Sequence, residues 1–332
     1  MTMKIDRAVI EINGGCNYSC HMCPQGSEKG RDKRFLKKMG LEEFERNVID
    51  CVQHGLNVVN LDGSGEATLN RDLPKYIEIV KKHGAKAFIF SNGFRMHGDF
   101  MKECVRAGLD FFRFSVIGYD TETYSKWMDR PEKGYNYIWD NIVAMQTFVD
   151  TIKSDCVVST YHLILGDDPD ADLKQYLNQH DKIERIIPGV KTEIWKMHNW
   201  SGVYDNEDKR EGAIKTCGRP FSPDVVIRAG GLDGKTGAVA PCCQVLGQDE
   251  NAVLGHTSER SIEEIWNGPE YQKLRDDHTS GNYPDYCKTC DFLIDAQDVL
   301  VYSNYDRSLN HMHGTEFDLN DYRDIQQYLP SL

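Results

Sequence analysis

Directly after an apolar strand expected over residues 8–12, the chain sets three cysteines in one loop, Cys16-Asn17-Tyr18-Ser19-Cys20-His21-Met22-Cys23, with the spacing C-x3-C-x2-C. Three thiolates that close together make a metal site, and the chain around them must fold to serve it. Zinc normally takes four tetrahedral ligands, whereas this loop offers three cysteines and an awkwardly placed His21. A cubane [4Fe–4S] cluster held by three cysteines keeps one iron without a protein ligand, and that iron can bind a cofactor. On the residues alone a zinc knuckle and a cluster both stand.

Beyond the loop, apolar runs alternate with helical spacing. Leu41, Phe44, Val48, Ile49 and Val52 repeat with helical period and stop at His54-Gly55. The pattern then predicts a strand over 57–61, a helix over 72–83, a strand over 86–90, a helix over 98–107 and a strand over 110–116. A helical run from Thr121, a helix over 134–150, a strand over 156–163, a helix over 170–180 and a strand over 190–197 follow. Six such repeats, joined by right-handed crossovers, close into a barrel or a large part of one. Ligands in that architecture meet the C-terminal ends of the strands. There the sequence places Asp62-Gly63-Ser64-Gly65-Glu66, then Ser91-Asn92-Gly93, then Ser115. A carboxylate behind glycines can approach a cationic amine because glycine lets the backbone come close, although an ordinary glycine turn reads the same way.

The cysteine spacing, the glycine–glutamate turn and the strand-end polar residues together resemble the radical SAM superfamily. The resemblance implies an α/β fold with a partial (β/α)6 TIM-like barrel. It also implies a [4Fe–4S] cluster on Cys16, Cys20 and Cys23, whose open iron chelates the amino and carboxylate groups of S-adenosylmethionine (SAM). One electron from the cluster then releases a 5'-deoxyadenosyl radical that takes a hydrogen atom from substrate. Cofactor contacts are implied for Met22 near the adenine, Gly65 and Glu66 at the amino group, and Ser91 and Asn92 at the ribose. Ser115 and, as a partner of the SAM carboxylate, Arg130 complete the set. Ser64 and Ala67 depart from the family's glycine and common proline, so only Gly65 and Glu66 of that motif carry over.

A second cysteine set, Cys217-x24-Cys242-x44-Cys287-x2-Cys290, frames a strand over 225–227, a glycine-rich turn and an apolar run ending in Pro241-Cys242-Cys243. These read as a β-hairpin with thiols at its ends. Ser261-Ile262-Glu263-Glu264 is a capping box that starts a short helix. The set resembles the auxiliary-cluster domain called twitch, a shortened relative of the SPASM domain, and implies one auxiliary [4Fe–4S] cluster with four protein ligands. A zinc ribbon on the same thiolates is the alternative. Cys243 could replace Cys242 as ligand, stay inert, or donate a hydrogen atom to a substrate radical. The expected organisation is a radical SAM barrel over 1–197, a connection over 198–214, the auxiliary domain over 215–295 and a tail or cap over 296–332.

The net charge of -13 argues against nucleic-acid binding through general electrostatics. No apolar run approaches a membrane span and no signal peptide is evident, so a cytoplasmic protein is expected. In that compartment the eleven cysteines should be ligands or free thiols, with Cys51, Cys104 and Cys156 as buried small hydrophobes. Six basic residues in ten over 29–38 could dock an acidic flavodoxin- or ferredoxin-type electron donor. Candidate bases and binding groups near the barrel mouth are Tyr161, His162, His198, Trp200, Tyr204 and Arg219. The acidic stretch from Asp291 onward, with Tyr302, Tyr305, His311 and His313, resembles nothing identifiable. The expected activity is oxidation of a small polar molecule of sugar, aminocyclitol or nucleoside type, since no peptide-recognition domain is expected ahead of Ile5. Peptide modification, epimerisation and a redox scaffold are the alternatives.

Overall fold

The computed structural model describes residues 4–26, 36–203, 217–222, 224–231, 233–245, 250–293 and 300–304. Six parallel strands form its centre: β1 (Arg7–Ile10), β2 (Val58–Asn60), β3 (Lys86–Ser91), β4 (Phe111–Ser115), β5 (Val157–Ile164) and β6 (Lys191–Lys196), paired in chain order. Between them run α1 (Leu41–Val52), α2 (Leu73–Lys82), α3 (Gly98–Arg106), α4 (Thr121–Met128), α5 (Lys133–Ile152) and α6 (Pro169–Ile186). The strands are apolar on both faces because one face meets the helices and the other fills the barrel. Phe44, Val48 and Cys51 of α1 are fully buried in the outer layer, as are Ile77 and Val80 of α2. Inside, Val58, Phe88 and Phe111 pack as a separate cluster that plugs the N-terminal end of the barrel, with the two phenyl centroids 5.0 Å apart. A cavity opens at the opposite, C-terminal end of the strands.

The expected hairpin does not stand apart. β7 (Asp224–Arg228) pairs in parallel with β1, from Arg7 opposite Asp224 to Ile10 opposite Ile227, and β8 (Ala238–Ala240) and β9 (Gly255–His256) continue the sheet antiparallel. At the other edge β10 (Leu300–Ser303) lies antiparallel to β6. A partial barrel leaves β1 and β6 as open edges with unpaired amides and carbonyls, and these added strands cover them. The order of the described sheet is β10-β6-β5-β4-β3-β2-β1-β7-β8-β9.

The remaining helices are α7 (Ile262–Trp266), α8 (Pro269–Ser280) and α9 (Asp285–Lys288). The capping box forms as the sequence predicts, with the Ser261 amide donating to Glu264 at 2.8 Å and the Glu264 amide donating to Ser261 Oγ at 3.2 Å. Asp50 on α1 accepts from the Ile262 amide at 2.8 Å, which ties α7 to the barrel. Cys51, Cys104 and Cys156 are buried, and no described helix is long and apolar enough to cross a membrane.

Candidate metal centre and active site

The loop carrying the first three cysteines is held by backbone pairing on both sides. The Gly14 amide donates to Lys37 O at 2.8 Å and the Met39 amide to Ile12 O at 3.2 Å, so the described end of the basic run lies beside this loop. Lys37 Nζ donates to Gly234 O, while residues 29–35 of that run lie outside the described residues. On the opposite side, the Glu66 amide donates to Gly15 O at 2.8 Å and Asn13 Nδ2 donates to Glu66 O at 2.9 Å. A β-carbon at position 65 would overlap the backbone of Asn13 and Gly14, so this contact between the two loops requires Gly65.

Glu66 is 3 % exposed, and its carboxylate accepts four hydrogen bonds, three at one oxygen and one at the other. Oε1 accepts from the Thr68 amide at 3.0 Å, Thr68 Oγ1 at 2.7 Å and Ser91 Oγ at 2.7 Å, and Oε2 accepts from the Asn92 amide at 2.8 Å. Asn92 Nδ2 in turn donates to Asn17 Oδ1 at 2.9 Å and faces Cys16 Sγ at 3.9 Å. Ser91 and Asn92 therefore fix the glutamate and the cysteine loop to each other.

Cys16, Gly65, Glu66, Ser91 and Asn92 border one cavity of about 230 Å³ at the C-terminal ends of the strands. Cys16, Cys20, Cys23 and Met22 form one wall, with Gly65, Glu66, Ser91, Asn92 and Ser115 beside them. Phe90, Tyr161, Trp195, Trp200 and Phe292 supply aromatic surface, and Lys196, His198, Arg219, Arg228 and Cys243 also face it. Arg130 does not border this cavity: its guanidinium lies 4.6 Å from the Tyr18 ring centroid and its Nη1 donates to Asn17 O at 3.5 Å, bracing the cysteine loop from outside. His162 sits in the core instead, with Nδ1 at 2.7 Å from Val116 O and Nε2 at 3.0 Å from Thr160 Oγ1. Burial pushes its pKa down to about 4. Tyr204, Tyr305, His311 and His313 lie outside the described residues.

Asp62, Arg113, Glu193 and Glu11, which have no role in the sequence reading, are buried charges that each interrupt or follow an apolar strand. Asp62 lines the cavity, its Oδ1 accepting from the Phe90 amide at 3.2 Å. Burial raises its pKa to about 7, against the opposing pull of that amide and of Arg113. Arg113 and Glu193 form an ion pair at 2.7 Å with both side chains almost wholly buried, and the guanidinium lies 5.4 Å from Phe90 and 5.5 Å from Tyr161. Glu11 accepts from the amide of Ser64, from its hydroxyl at 2.5 Å, and from the Ala229 amide at 3.1 Å, which joins the turn over 63–66 to the end of β7.

The cysteine doublet divides between two spaces. Cys242 borders a second, small cavity with Cys217, Cys287 and Cys290, whereas Cys243 faces the large one. Burial raises the pKa of all four thiols of the small cavity, and each lies within the electrostatic reach of others in the set. Burial likewise pushes Cys16 up to about 12, and it raises Cys20 and Cys23. Among the described residues no group of three or more His, Cys, Asp or Glu side chains is drawn together around a single point. The two sets of thiols each border a cavity.

A parallel partial barrel with three thiols at its mouth and a four-thiol cavity behind it defines an iron–sulfur enzyme. The radical SAM superfamily matches residues 10–179, about half of the chain, and the iron–sulfur cluster-binding domain SPASM matches 234–291. The chain belongs to the radical SAM superfamily and is a radical SAM enzyme. The family implies a [4Fe–4S] cluster with SAM, and the SPASM domain implies auxiliary iron–sulfur clustering. The residues present fit both: two sets of buried thiols border cavities, and a fixed carboxylate stands beside the first set.

Among curated proteins, the chain is 31 % identical over 116 residues to a probable GTP 3',8-cyclase of Thermoplasma volcanium, covering 35 % of this chain and 34 % of that protein. It is 27 % identical over 103 residues to an Fe-coproporphyrin III synthase of Methanosarcina barkeri, covering 31 % of this chain and 25 % of that protein. The chain thus spans about a third or less of the length of these relatives. Of solved structures, BtrN in complex with AdoMet and 2-DOIA matches 91 % of this chain and 100 % of its own at TM-score 0.56 and 15 % identity. Streptococcus suis SuiB bound to precursor peptide SuiA matches 88 % of this chain and 71 % of its own at TM-score 0.62 and 14 % identity. These likenesses establish the fold.

Proposed function

We propose that the protein is an oxidoreductase that removes hydrogen from a small polar substrate of sugar, aminocyclitol or nucleoside type. The observation that carries this reading is a shared wall. The cavity bounded at one side by Cys16, Cys20, Cys23 and Glu66 is bounded at another by Arg219, Gln244 and Phe292, and these three also border the four-thiol cavity. A substrate between them touches a site for hydrogen abstraction and a site for electron removal at once. BtrN, seen with 2-DOIA, is a precedent for a small ligand on this fold, as SuiB, seen with a precursor peptide, is for a peptide.

In this reading Cys16, Cys20 and Cys23 hold the first cluster, and Cys217, Cys242, Cys287 and Cys290 hold the auxiliary one. Met22, Gly65, Glu66, Ser91, Asn92 and Ser115 line the SAM pocket, with Arg130 behind the cysteine loop. Once bound, these cofactors supply a 5'-deoxyadenosyl radical and an electron acceptor. The chain's own part is positional and acid–base. Glu66, held by four hydrogen bonds, keeps its charge aimed where a cationic ammonium would sit without having to reorganise. Asp62 takes the proton of the substrate hydroxyl, and burial holds its pKa where it can accept at neutral pH. The aromatic side chains at the mouth exclude water from a reactive radical. Domain limits follow the thiol sets, with the barrel over 1–197 and the auxiliary unit over 215–295. A flavodoxin- or ferredoxin-type protein supplies the reducing electron.

The test is anaerobic reconstitution with SAM, dithionite and a panel of aminocyclitols, sugars and nucleosides that includes 2-DOIA. The expected result is a product lighter by two hydrogen atoms together with equimolar 5'-deoxyadenosine. Modification of synthetic peptides, with no panel member oxidised, would overturn the substrate class. The place of Cys243 favours a second reading, epimerisation, in which its thiol returns a hydrogen atom to the substrate radical. Solvent deuterium in an isomeric product, lost in Cys243→Ala, would decide for it.

A further inference from the structure

We infer that Arg219 is a redox positioning residue: its guanidinium forms the partition between the reaction cavity and the four-thiol cavity and poises the centre in the latter to accept an electron. The inference rests on the auxiliary-cluster reading given above. Arg219 opens a short 3-10 turn, Arg219–Phe221, two residues after Cys217, and it is buried. With Gln244 and Phe292 it borders both cavities. Its Nη1 donates to Cys243 Sγ at 3.0 Å on the reaction side, and the guanidinium lies 5.0 Å from the Phe292 ring centroid. On its other side it borders the cavity with Cys217 and Cys242, and the carboxylate of Asp224 is itself paired with Arg7 at 3.1 Å.

The physical consequence follows from charge. Arginine keeps its proton in proteins, so the guanidinium is a permanent positive charge in a water-poor wall. A cluster gains one negative charge on reduction, and a fixed cation beside its thiolates favours that state. The step it assists balances. After hydrogen-atom abstraction, a substrate carbon radical bearing a hydroxyl group becomes a carbonyl by losing one proton, to Asp62, and one electron, to the auxiliary centre. A purely structural arginine, bracing the turn after Cys217, would leave that potential where it is.

The experiment is an EPR-monitored redox titration of the full reconstituted chain without substrate, the auxiliary signal being the one that added SAM does not perturb. Arg219→Met is expected to lower the reduced-to-oxidised ratio of that signal about tenfold at fixed potential, which for a one-electron couple is about 59 mV. Arg219→Lys keeps the charge and should retain most of the ratio. Gln244→Glu leaves Arg219 in place and adds an opposing charge in the same wall, so it should shift the ratio in the same direction as Arg219→Met. A ratio within about twofold of the parent in Arg219→Met, with its iron intact, overturns the inference. If Arg219→Met loses iron, an unmoved ratio in Gln244→Glu overturns it instead. Zinc, or no second iron–sulfur signal, in the unmutated protein overturns the auxiliary-cluster reading and the inference with it.

Discussion

Replacing Asp62 by asparagine isolates the one carboxyl in the cavity whose environment favours its neutral form. Its ordinary pKa is 3.8 and burial raises it to about 7. At about 1.4 kcal/mol per pH unit, the difference corresponds to about 4 kcal/mol. The sign follows from which state ionises first. In the unfolded chain Asp62 loses its proton near pH 4, while in the folded protein it keeps it until about pH 7. Asp62 therefore costs the folded state nothing below pH 4, lowers its stability progressively between pH 4 and about pH 7, and does so by a constant amount above that. An asparagine side chain at this position would keep the oxygen that accepts from the Phe90 amide and cannot ionise. Asp62→Asn should match the parent at pH 4 and exceed it at pH 8, by up to about 4 kcal/mol. Urea unfolding of the cofactor-free protein at several pH values measures the difference, and infrared difference spectra of parent against variant report the protonated carboxyl directly. A midpoint below pH 5, with no gain in stability for the variant at pH 8, would show that the Phe90 amide and Arg113 together outweigh desolvation and that Asp62 is an ordinary carboxylate. Its assignment as proton acceptor would then fail.

Three further outcomes are expected. Cys242→Ala should reduce the iron content from about eight to about four atoms per chain, whereas Cys243→Ala should leave it near eight, by colorimetric iron assay after reconstitution. Glu66→Gln should weaken SAM binding at least tenfold by calorimetry on reconstituted protein without loss of iron, because it removes the charge while keeping the shape; unchanged affinity would remove Glu66 from the SAM pocket. Arg113→Met should cost about 3–5 kcal/mol in urea unfolding by leaving Glu193 buried without its partner, and the double variant Arg113→Met/Glu193→Gln should recover much of that loss.

Much of the barrel was legible because its signals are local. Apolar runs and helical periods fall where β1–β6 and α1–α6 form, and the strand-end residues Glu66, Ser91, Asn92 and Ser115 meet at one cavity because parallel strands bring their C-terminal ends together. Pairing of β7 with β1 was not legible: Arg7 and Asp224 are 217 residues apart, and no local pattern states which open edge a strand will cover. The division between Cys242 and Cys243 was equally hidden, since either satisfies the same spacing. A signal for the interior charges was present but unread. Arg113 lies between phenylalanines in β4, two residues before Ser115, and Asp62 lies four before Glu66. In a strand that phase puts Arg113 on the same side as Ser115, so an isolated charge in step with a ligand residue marks the barrel interior.

The central claim is that the thiols of Cys16, Cys20 and Cys23 together hold the cluster that activates SAM. Release of 5'-deoxyadenosine by anaerobically reconstituted, dithionite-reduced protein tests it most directly, with iron counted in the same samples. The unmutated chain and Cys243→Ala should release it, and single alanine variants at positions 16, 20 and 23 should release none and carry about four fewer irons. Release that survives loss of any one of these three cysteines, or zinc in place of iron at this loop, would contradict the account.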